Sequence, residues 1–327
     1  MEIKLPELQA TFKQLKQDSQ AMANPQVRTA VEQLEEMLSE LELKSPSAAP
    51  DTLFDPHVHM KDLERLMSFI PDIFDASPHQ ESLLQFLLKG ASTYRGMGEN
   101  ERSRQYSEQI LTLTTDGKYP KIRAEAFREL GTQQFYQGRL NQAHTNYQQA
   151  LALFEAENDL GHAASIYNQF GYIASQQGDY ERAKASHQKA IELAQEIAAQ
   201  GNGYKRLFAG AYNSLGIVAS IQADWDVAID NFEKSIGIYE ELDLPREGAH
   251  VYTNLAMAYV DAQEWEAAGA CYAEATVLAE QSGNLLTLSG IYINRAEFLL
   301  NITSIDAAQL YCDKALEIFQ KSNDSIG

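Results

Sequence analysis

The sequence predicts an all-α fold, a solenoid of about six stacked helix pairs that follows a helical extension. Three observations lead to this fold class. A pattern about 40 residues long repeats along the chain, apolar residues recur at the three- and four-residue spacing of amphipathic helices, and no segment alternates apolar and polar residues as a strand does. A chain of 327 residues is long enough for such an array.

Small residues separated by 40, 40, 45, 40 and 40 positions mark the repeat. They are Ala91, Gly131, Gly171, Gly216, Ala256 and Ala296. A bulky apolar residue stands four positions before each, and the one longer step coincides with residues 200–203, whose glycines predict a longer loop. Small residues allow two helices to approach closely. Since one helix pair cannot bury its apolar face alone, the pairs are expected to stack.

Each repeat is expected to contain two helices joined by a short turn. The segments Gln177-Gly178-Asp179 and Gln222-Ala223-Asp224 have the composition of such a turn. Asp179 and Asp224 are placed where a side-chain oxygen can accept a hydrogen bond from a free backbone N–H group of the second helix. We therefore expect both residues to cap the helices that follow them.

The repeat resembles the tetratricopeptide repeat, in a longer version of about 40 residues. The resemblance covers residues 78–321 and is carried by four residue sets. These are Leu130-Gly131 with Ala143, Phe170-Gly171 with Ala183, Leu215-Gly216 with Ala228, and Leu255-Ala256 with Ala268. It implies a right-handed superhelix whose first helices line a concave groove that binds peptides or protein segments. It implies no chemistry, and residues 76–327 are assigned to the array.

Residues 1–75 have a different pattern. Two amphipathic helices are predicted, followed by a linker near residues 44–52 and a short helix over residues 63–70. This region could form a small bundle on the first repeat or a mobile arm, and its second helix could pair with a helix of a partner. We expect it to pack within the chain.

One short segment suggests chemistry. Asp55-Pro56-His57-Val58-His59 resembles the first-strand metal motif of the amidohydrolases, but that chemistry needs a barrel strand and further ligands that the sequence does not supply. No phosphate-binding loop, dinucleotide-binding turn or nucleophile–histidine pattern occurs. We assign no metal, no cofactor and no catalytic residue, and we expect the chain not to be an enzyme.

Several chemically distinctive side chains fall at repeat positions that predict packing. His187 stands where neighbouring repeats have aromatic residues, and Cys312 occupies the same position in the last repeat. Cys271, Trp225 and Trp265 also lie on second helices. We expect all five to be core residues rather than ligands or nucleophiles.

The candidate partner-binding residues lie on the first helices, near the aromatic and small positions. Asparagines recur there, and a carboxamide can donate to and accept from one peptide unit. Alternatively, the asparagines link neighbouring helices within the scaffold, and the sequence leaves both roles open. The candidates are Arg128, Thr132, Asn168, Tyr172, Asn213, Ile217, Ser220, Asn254, Met257, Asn294 and Glu297.

The chain has 26 basic and 46 acidic side chains and a formal net charge of −20. This balance argues against nucleic acid as a partner, because nucleic-acid binding needs cations that replace phosphate counterions. Residues 207–327 alone contain 5 basic and 18 acidic side chains, so a neutral to basic protein or peptide is the expected partner. No segment is apolar enough to enter a membrane, and the absence of a targeting signal suggests the cytoplasm.

These observations favour a non-enzymatic adaptor that binds a partner segment in a concave groove. One alternative is a regulatory receptor that senses a peptide or effector, and another is a self-assembling structural scaffold. Gln309, Asp313, Glu317 and Gln320 form a polar outer face on the last helix, which favours a monomer over an oligomer.

Overall fold

The computed structural model describes residues 80–197 and 205–324, the helical segment Ile70–Phe74 and scattered positions on either side of that segment. The predicted linker near residues 44–52, the His57–His59 pair and the longer loop at 200–203 lie outside the described residues. So do most of the two helices predicted before residue 44.

Over residues 80–197 and 205–324 the chain forms twelve α-helices of 14 to 20 residues, with no strand. They are α1 (Gln80–Gly96), α2 (Asn100–Leu113), α3 (Pro120–Tyr136), α4 (Leu140–Ala156), α5 (Leu160–Gln176), α6 (Tyr180–Ile197), α7 (Lys205–Ile221), α8 (Trp225–Glu241), α9 (Pro245–Asp261), α10 (Trp265–Ser282), α11 (Leu285–Asn301) and α12 (Ile305–Asp324). Each odd-numbered helix packs against the helix that follows it, so the helices form six hairpins. The odd-numbered helices are the first helices of the predicted repeats.

Small residues and rings make the close contacts inside the hairpins. Three glycines of the first helices lie so near a ring of the second helix that an added Cβ atom would be within 2.7 Å of it. The three pairs are Gly131 with Tyr147, Gly171 with His187 and Gly216 with Phe232. The prediction that small residues allow close approach while bulky rings fill the space is therefore correct at these positions.

The two predicted helix caps have different outcomes. The backbone N–H of Arg182 donates to Asp179 Oδ1 at 3.1 Å, so Asp179 caps α6 as expected. Asp224 precedes α8, but its side chain makes no capping hydrogen bond, and that prediction is wrong. Its ψ angle of 76° is smaller than the 96° of Asn284, which has the extended backbone of a capping residue and accepts from the backbone N–H of Thr287.

The described residues separate into two compact units, Met1–Asp159 and Leu160–Gly327. In the first unit, the buried side chains of Val27, Met67 and Ile70 belong to the same core cluster as Leu87 and Tyr94 of α1. The described part of the N-terminal region therefore packs on the first hairpin. The predicted boundary near residue 75 stays a prediction.

The second unit contains the four hairpins from α5 to α12, and here two expectations about core residues fail. His187 and Cys271 are buried as predicted, and burial raises the pKa of the Cys271 thiol to about 11. Trp265 is 41% exposed and Cys312 is also exposed, so these two are surface residues. Cys312 lies on α12, the last helix that the structure describes, whereas further hairpins follow His187 on α6.

Candidate functional site

The carboxamides of Asn213 and Asn254 connect two consecutive first helices of the second unit. Asn254 Nδ2 on α9 donates to Asn213 Oδ1 on α7 at 2.9 Å. Both side chains are half-buried. Among the described residues, the Asn213 amide group and the Asn254 carbonyl oxygen have no further hydrogen-bond partner. The pair therefore supports the scaffold and also leaves one donor and one acceptor available side by side.

Asn168 has a different role, although its register predicted the same one. Its side chain is 6% exposed, its Nδ2 donates to the Tyr172 hydroxyl at 3.3 Å, and its Oδ1 lies 2.5 Å from His187 Nδ1. Both ends of the carboxamide are thus used inside the hairpin of α5 and α6. The structure removes Asn168 from the candidate partner-binding residues, because a ligand has no access to its polar atoms.

His187 determines the position of Asn168. Its ring is fully buried against Gly171 and packs edge-on against the Tyr172 ring, with 5.3 Å between the ring centroids. Since Asn168 Oδ1 can only accept, Nδ1 carries the ring proton, and Nε2 has no hydrogen-bond partner in the described part of the chain. Burial lowers the pKa of His187 from 6.5 to about 4, so the ring is neutral near pH 7.

Three candidates on the first helices form an apolar row, at least partly accessible, that follows the small residues. Tyr172, Ile217 and Met257 each come directly after the small residue of their repeat. Tyr172 is half-buried, whereas Ile217 and Met257 are 37% and 49% exposed. Glu297 takes the same position on α11, where it is exposed and forms no ion pair with any described residue. The row is therefore apolar on three helices and acidic on the fourth.

Ser220 and Asn294 complete the candidates in this unit. Ser220 is half-buried, and its Oγ atom is buried without a hydrogen-bond partner among the described residues. Asn294 is half-buried and likewise has no side-chain partner in that part of the chain. Its neighbour Arg295 turns away, because its guanidinium donates to Thr276 Oγ1 at 3.3 Å and lies 4.5 Å from the centre of the Tyr311 ring.

The two candidates on α3 belong to the first unit. Arg128 forms an ion pair with Glu125 at 2.6 Å. Thr132 donates to the Arg128 carbonyl oxygen at 2.9 Å and accepts from the Tyr147 hydroxyl at 3.1 Å. These bonds use both side chains locally.

Two polar residues on the same face of α9 were not predicted from the sequence. Arg246 lies eight residues before Asn254 and His250 lies four residues before it, and both are exposed. This spacing, which places all three on one helix face, is the signal in the sequence that could have identified them. His250 Nε2 lies 3.3 Å from Thr287 Oγ1 on α11, which shows that α9 and α11 are in contact. Partial burial and the Arg246 guanidinium lower the pKa of His250.

The described residues contain no group of three or more His, Cys, Asp or Glu side chains arranged to hold a metal ion. None of the helices in this part of the chain combines the length and apolar character needed to cross a bilayer.

Comparison with protein families identifies the repeat. The model of the tetratricopeptide repeat family matches residues 122–196 and, in an overlapping match, residues 162–241. These residues are tetratricopeptide repeats. Over these residues the family resemblance of the sequence is thereby confirmed. A comparison with curated proteins gave no significant match.

Solved structures with tetratricopeptide-like architecture are similar to the chain at low identity. BtubC of P. vanneervenii is 20% identical, with a TM-score of 0.51, and the match covers 79% of this chain and 91% of that chain. A signal transduction ATPase with a tetratricopeptide repeat sensor from Pyrococcus horikoshii is 15% identical, with a TM-score of 0.61 over 83% of this chain and 41% of that chain. The apo form of RapI is 14% identical, with a TM-score of 0.60 over 90% of this chain and 77% of that chain. These matches concern the fold alone, and they confirm the all-α solenoid class.

Proposed function

We propose that the chain is a non-enzymatic interaction module that binds a partner segment on the first helices of its second unit. Tetratricopeptide repeats form a fold of the protein-interaction or sensor type. The binding surface consists of α7, α9 and α11, with Asn213 and Asn254 at its centre.

The proposal rests on the hydrogen bonding of the Asn213 and Asn254 carboxamides. One hydrogen bond between the two carboxamides fixes their orientation, so little side-chain entropy is lost when a ligand binds. The remaining amide group of Asn213 suits a peptide carbonyl, and the remaining carbonyl of Asn254 suits a peptide N–H. Such contacts recognise the backbone of a partner and place no demand on its side chains.

Charge supports a neutral to basic partner. Residues 207–327 carry an excess of acidic side chains, and Asp261 and Glu297 lie exposed on first helices without ion-pair partners among the described residues. Electrostatic attraction of this kind accelerates association and depends on salt. The same proposal includes a cytoplasmic location.

The decisive experiment replaces both asparagines. Asn213→Ala with Asn254→Ala should weaken partner binding more than tenfold, because two charge-neutral hydrogen bonds to the partner are lost. A partner is captured from native lysate with the wild-type chain, its binding segment is synthesised, and its affinity is measured by fluorescence anisotropy.

The control is a carboxamide bridge in the first unit. Asn146 Nδ2 donates to Gln134 Oε1 at 2.8 Å, so Gln134→Ala with Asn146→Ala removes a similar bond between helices. Both double variants should lose about 1 kcal/mol of folding stability. Only the Asn213 and Asn254 variant should lose binding, and an unchanged affinity would disprove the proposal.

A receptor that senses a peptide or effector is the second candidate, supported by the similarity to the Pyrococcus horikoshii protein with its tetratricopeptide repeat sensor. In this case the ligand would change the curvature of the array. X-ray scattering profiles at ligand saturation should then differ in radius of gyration from ligand-free profiles, and identical profiles would exclude this mode.

A further inference from the structure

Tyr172, Ile217, Met257 and Glu297 occupy one equivalent position on four successive first helices, α5, α7, α9 and α11. Three consecutive positions are apolar and accessible at least in part, and the fourth is an exposed carboxylate. A partner that crosses the first helices meets these four side chains in this order. The row therefore imposes a sequence pattern on the partner.

The spacing of the pattern follows from helix packing. Contacts connect α5 with α7, while hydrogen bonds connect α7 with α9 and α9 with α11. The axes of helices in direct contact lie about 8–10 Å apart. A polyproline II segment rises about 3.1 Å per residue with three residues per turn, so every third side chain points the same way at intervals of about 9 Å. This interval matches the separation expected for first helices in direct contact.

Other conformations of a partner fit the row less well. In a strict β-strand, side chains three residues apart point to opposite sides. In an α-helix, a step of about 9 Å corresponds to about six residues. The polyproline II conformation also leaves its backbone N–H and C=O groups free for the unsatisfied groups of Asn213 and Asn254.

We propose that the first-helix face of the second unit binds an extended segment with apolar side chains at three positions, each three residues apart, and a basic side chain at the next such position. The apolar side chains contact Tyr172, Ile217 and Met257, and the basic side chain pairs with Glu297. This inference rests on the proposed function, since it specifies the partner of the same surface.

The charge at Glu297 is available for such a pair. The guanidinium of the neighbouring Arg295 donates to Thr276 and stacks on the Tyr311 ring. It therefore does not pair with the Glu297 carboxylate. The salt bridges formed among the described residues do not include Glu297. A Lys or Arg of the partner thus finds an unpaired carboxylate at the end of the apolar row.

The test is a selection of random twelve-residue peptides displayed on phage with the full-length chain as bait. Selected peptides should have apolar residues three positions apart and Lys or Arg at the next position of this series, in either chain direction. An apolar spacing of two, six or seven residues, no preference for a basic residue, or no enrichment at all would overturn the inference.

Variants provide the second readout. With Glu297→Lys as bait, the selected peptides should carry an acidic residue at that position, whereas Asp306→Lys on the exposed surface of α12 should leave the basic preference unchanged. Met257→Lys should weaken binding of a selected peptide more than tenfold. Val277→Lys is the matched control, since Val277 is 46% exposed on the second helix α10, and it should have no effect.

The outcomes separate this inference from the proposed function. Selected peptides that lack the three-residue spacing but lose binding with Asn213→Ala and Asn254→Ala would refute only the inference. Peptides that bind the double variant as well as the wild type would refute both.

Discussion

Gly216 lies in van der Waals contact with the fully buried ring of Phe232, which leaves no room for a methyl group. Gly216→Ala should therefore lower the free energy of unfolding by about 1–3 kcal/mol, the usual cost of overpacking a core. Urea denaturation monitored by circular dichroism measures the change.

Gly237 is the matched control, because a Cβ atom there meets nothing within 4 Å and the residue lies inside α8. Gly237→Ala should raise stability by about 0.5–1 kcal/mol through the better helix propensity of alanine. Equal effects at both positions would contradict the close contact at Gly216.

His187 gives the fold a dependence on pH. Its pKa is about 4 in the folded chain, below the ordinary value of 6.5, so protonation favours the unfolded chain. The neutral ring contributes its full stability above pH 6.5, and this contribution is lost as the pH falls from 6.5 towards 4. The loss approaches about 3 kcal/mol.

His187→Phe should remove this part of the pH dependence, because Phe232 shows that a phenyl ring suits the equivalent position. Chemical denaturation at pH 7.5 and pH 4.5 should give a smaller stability difference for the variant than for the wild type. The same difference in both chains would show that other groups cause the pH dependence.

At the scale of the secondary-structure element, the turns of the hairpins require a left-handed residue. Gly138 and Gly178 supply it with φ angles of 72° and 76°, and Ala223 takes the same position with a φ angle of 58°. A Cβ atom costs about 1–2 kcal/mol in this region. Ala223→Gly should therefore raise the free energy of unfolding by about 1 kcal/mol.

Gly178→Ala is the reciprocal change and should lower stability by a similar amount. Thermal melts of the two variants and the wild type, run side by side, measure both effects. A lower melting temperature for Ala223→Gly would mean that the strain is relieved elsewhere in the turn.

The helices and their repeat were predictable because they depend on local patterns. Apolar spacing and the small residues place each first and second helix within its repeat, and the structure agrees over residues 80–197 and 205–324. Helix caps were less predictable: Asp179 and Asp224 occupy equivalent turns, yet only Asp179 forms the capping bond. A difference of this kind depends on backbone angles, which composition does not reveal.

At the scale of the whole molecule, the surface of α12 bears on self-association. The predicted polar face is present, since Gln309 and Asp313 are exposed and bonded to each other at 2.8 Å. Leu316 and Phe319 are exposed beside them, which the sequence pattern did not predict.

We nevertheless predict a monomer, because Asp306, Asp313 and Glu317 would repel the same face of a second copy. Multi-angle light scattering across a hundredfold concentration range should give the mass of one chain. A mass that rises with concentration and returns to that of one chain after Leu316→Lys would favour the self-assembling scaffold.

The sequence by itself determined the all-α class and the repeat period, since both follow from spacing along one chain. Only the tertiary structure decided which asparagine carboxamides are fully used within the chain and which keep unbonded groups. His187 and Tyr172 use the carboxamide of Asn168, whereas Asn213 and Asn254 bond to each other and keep one donor and one acceptor. The physical reason is that these contacts join residues up to 41 positions apart, and their geometry depends on packing within and between hairpins.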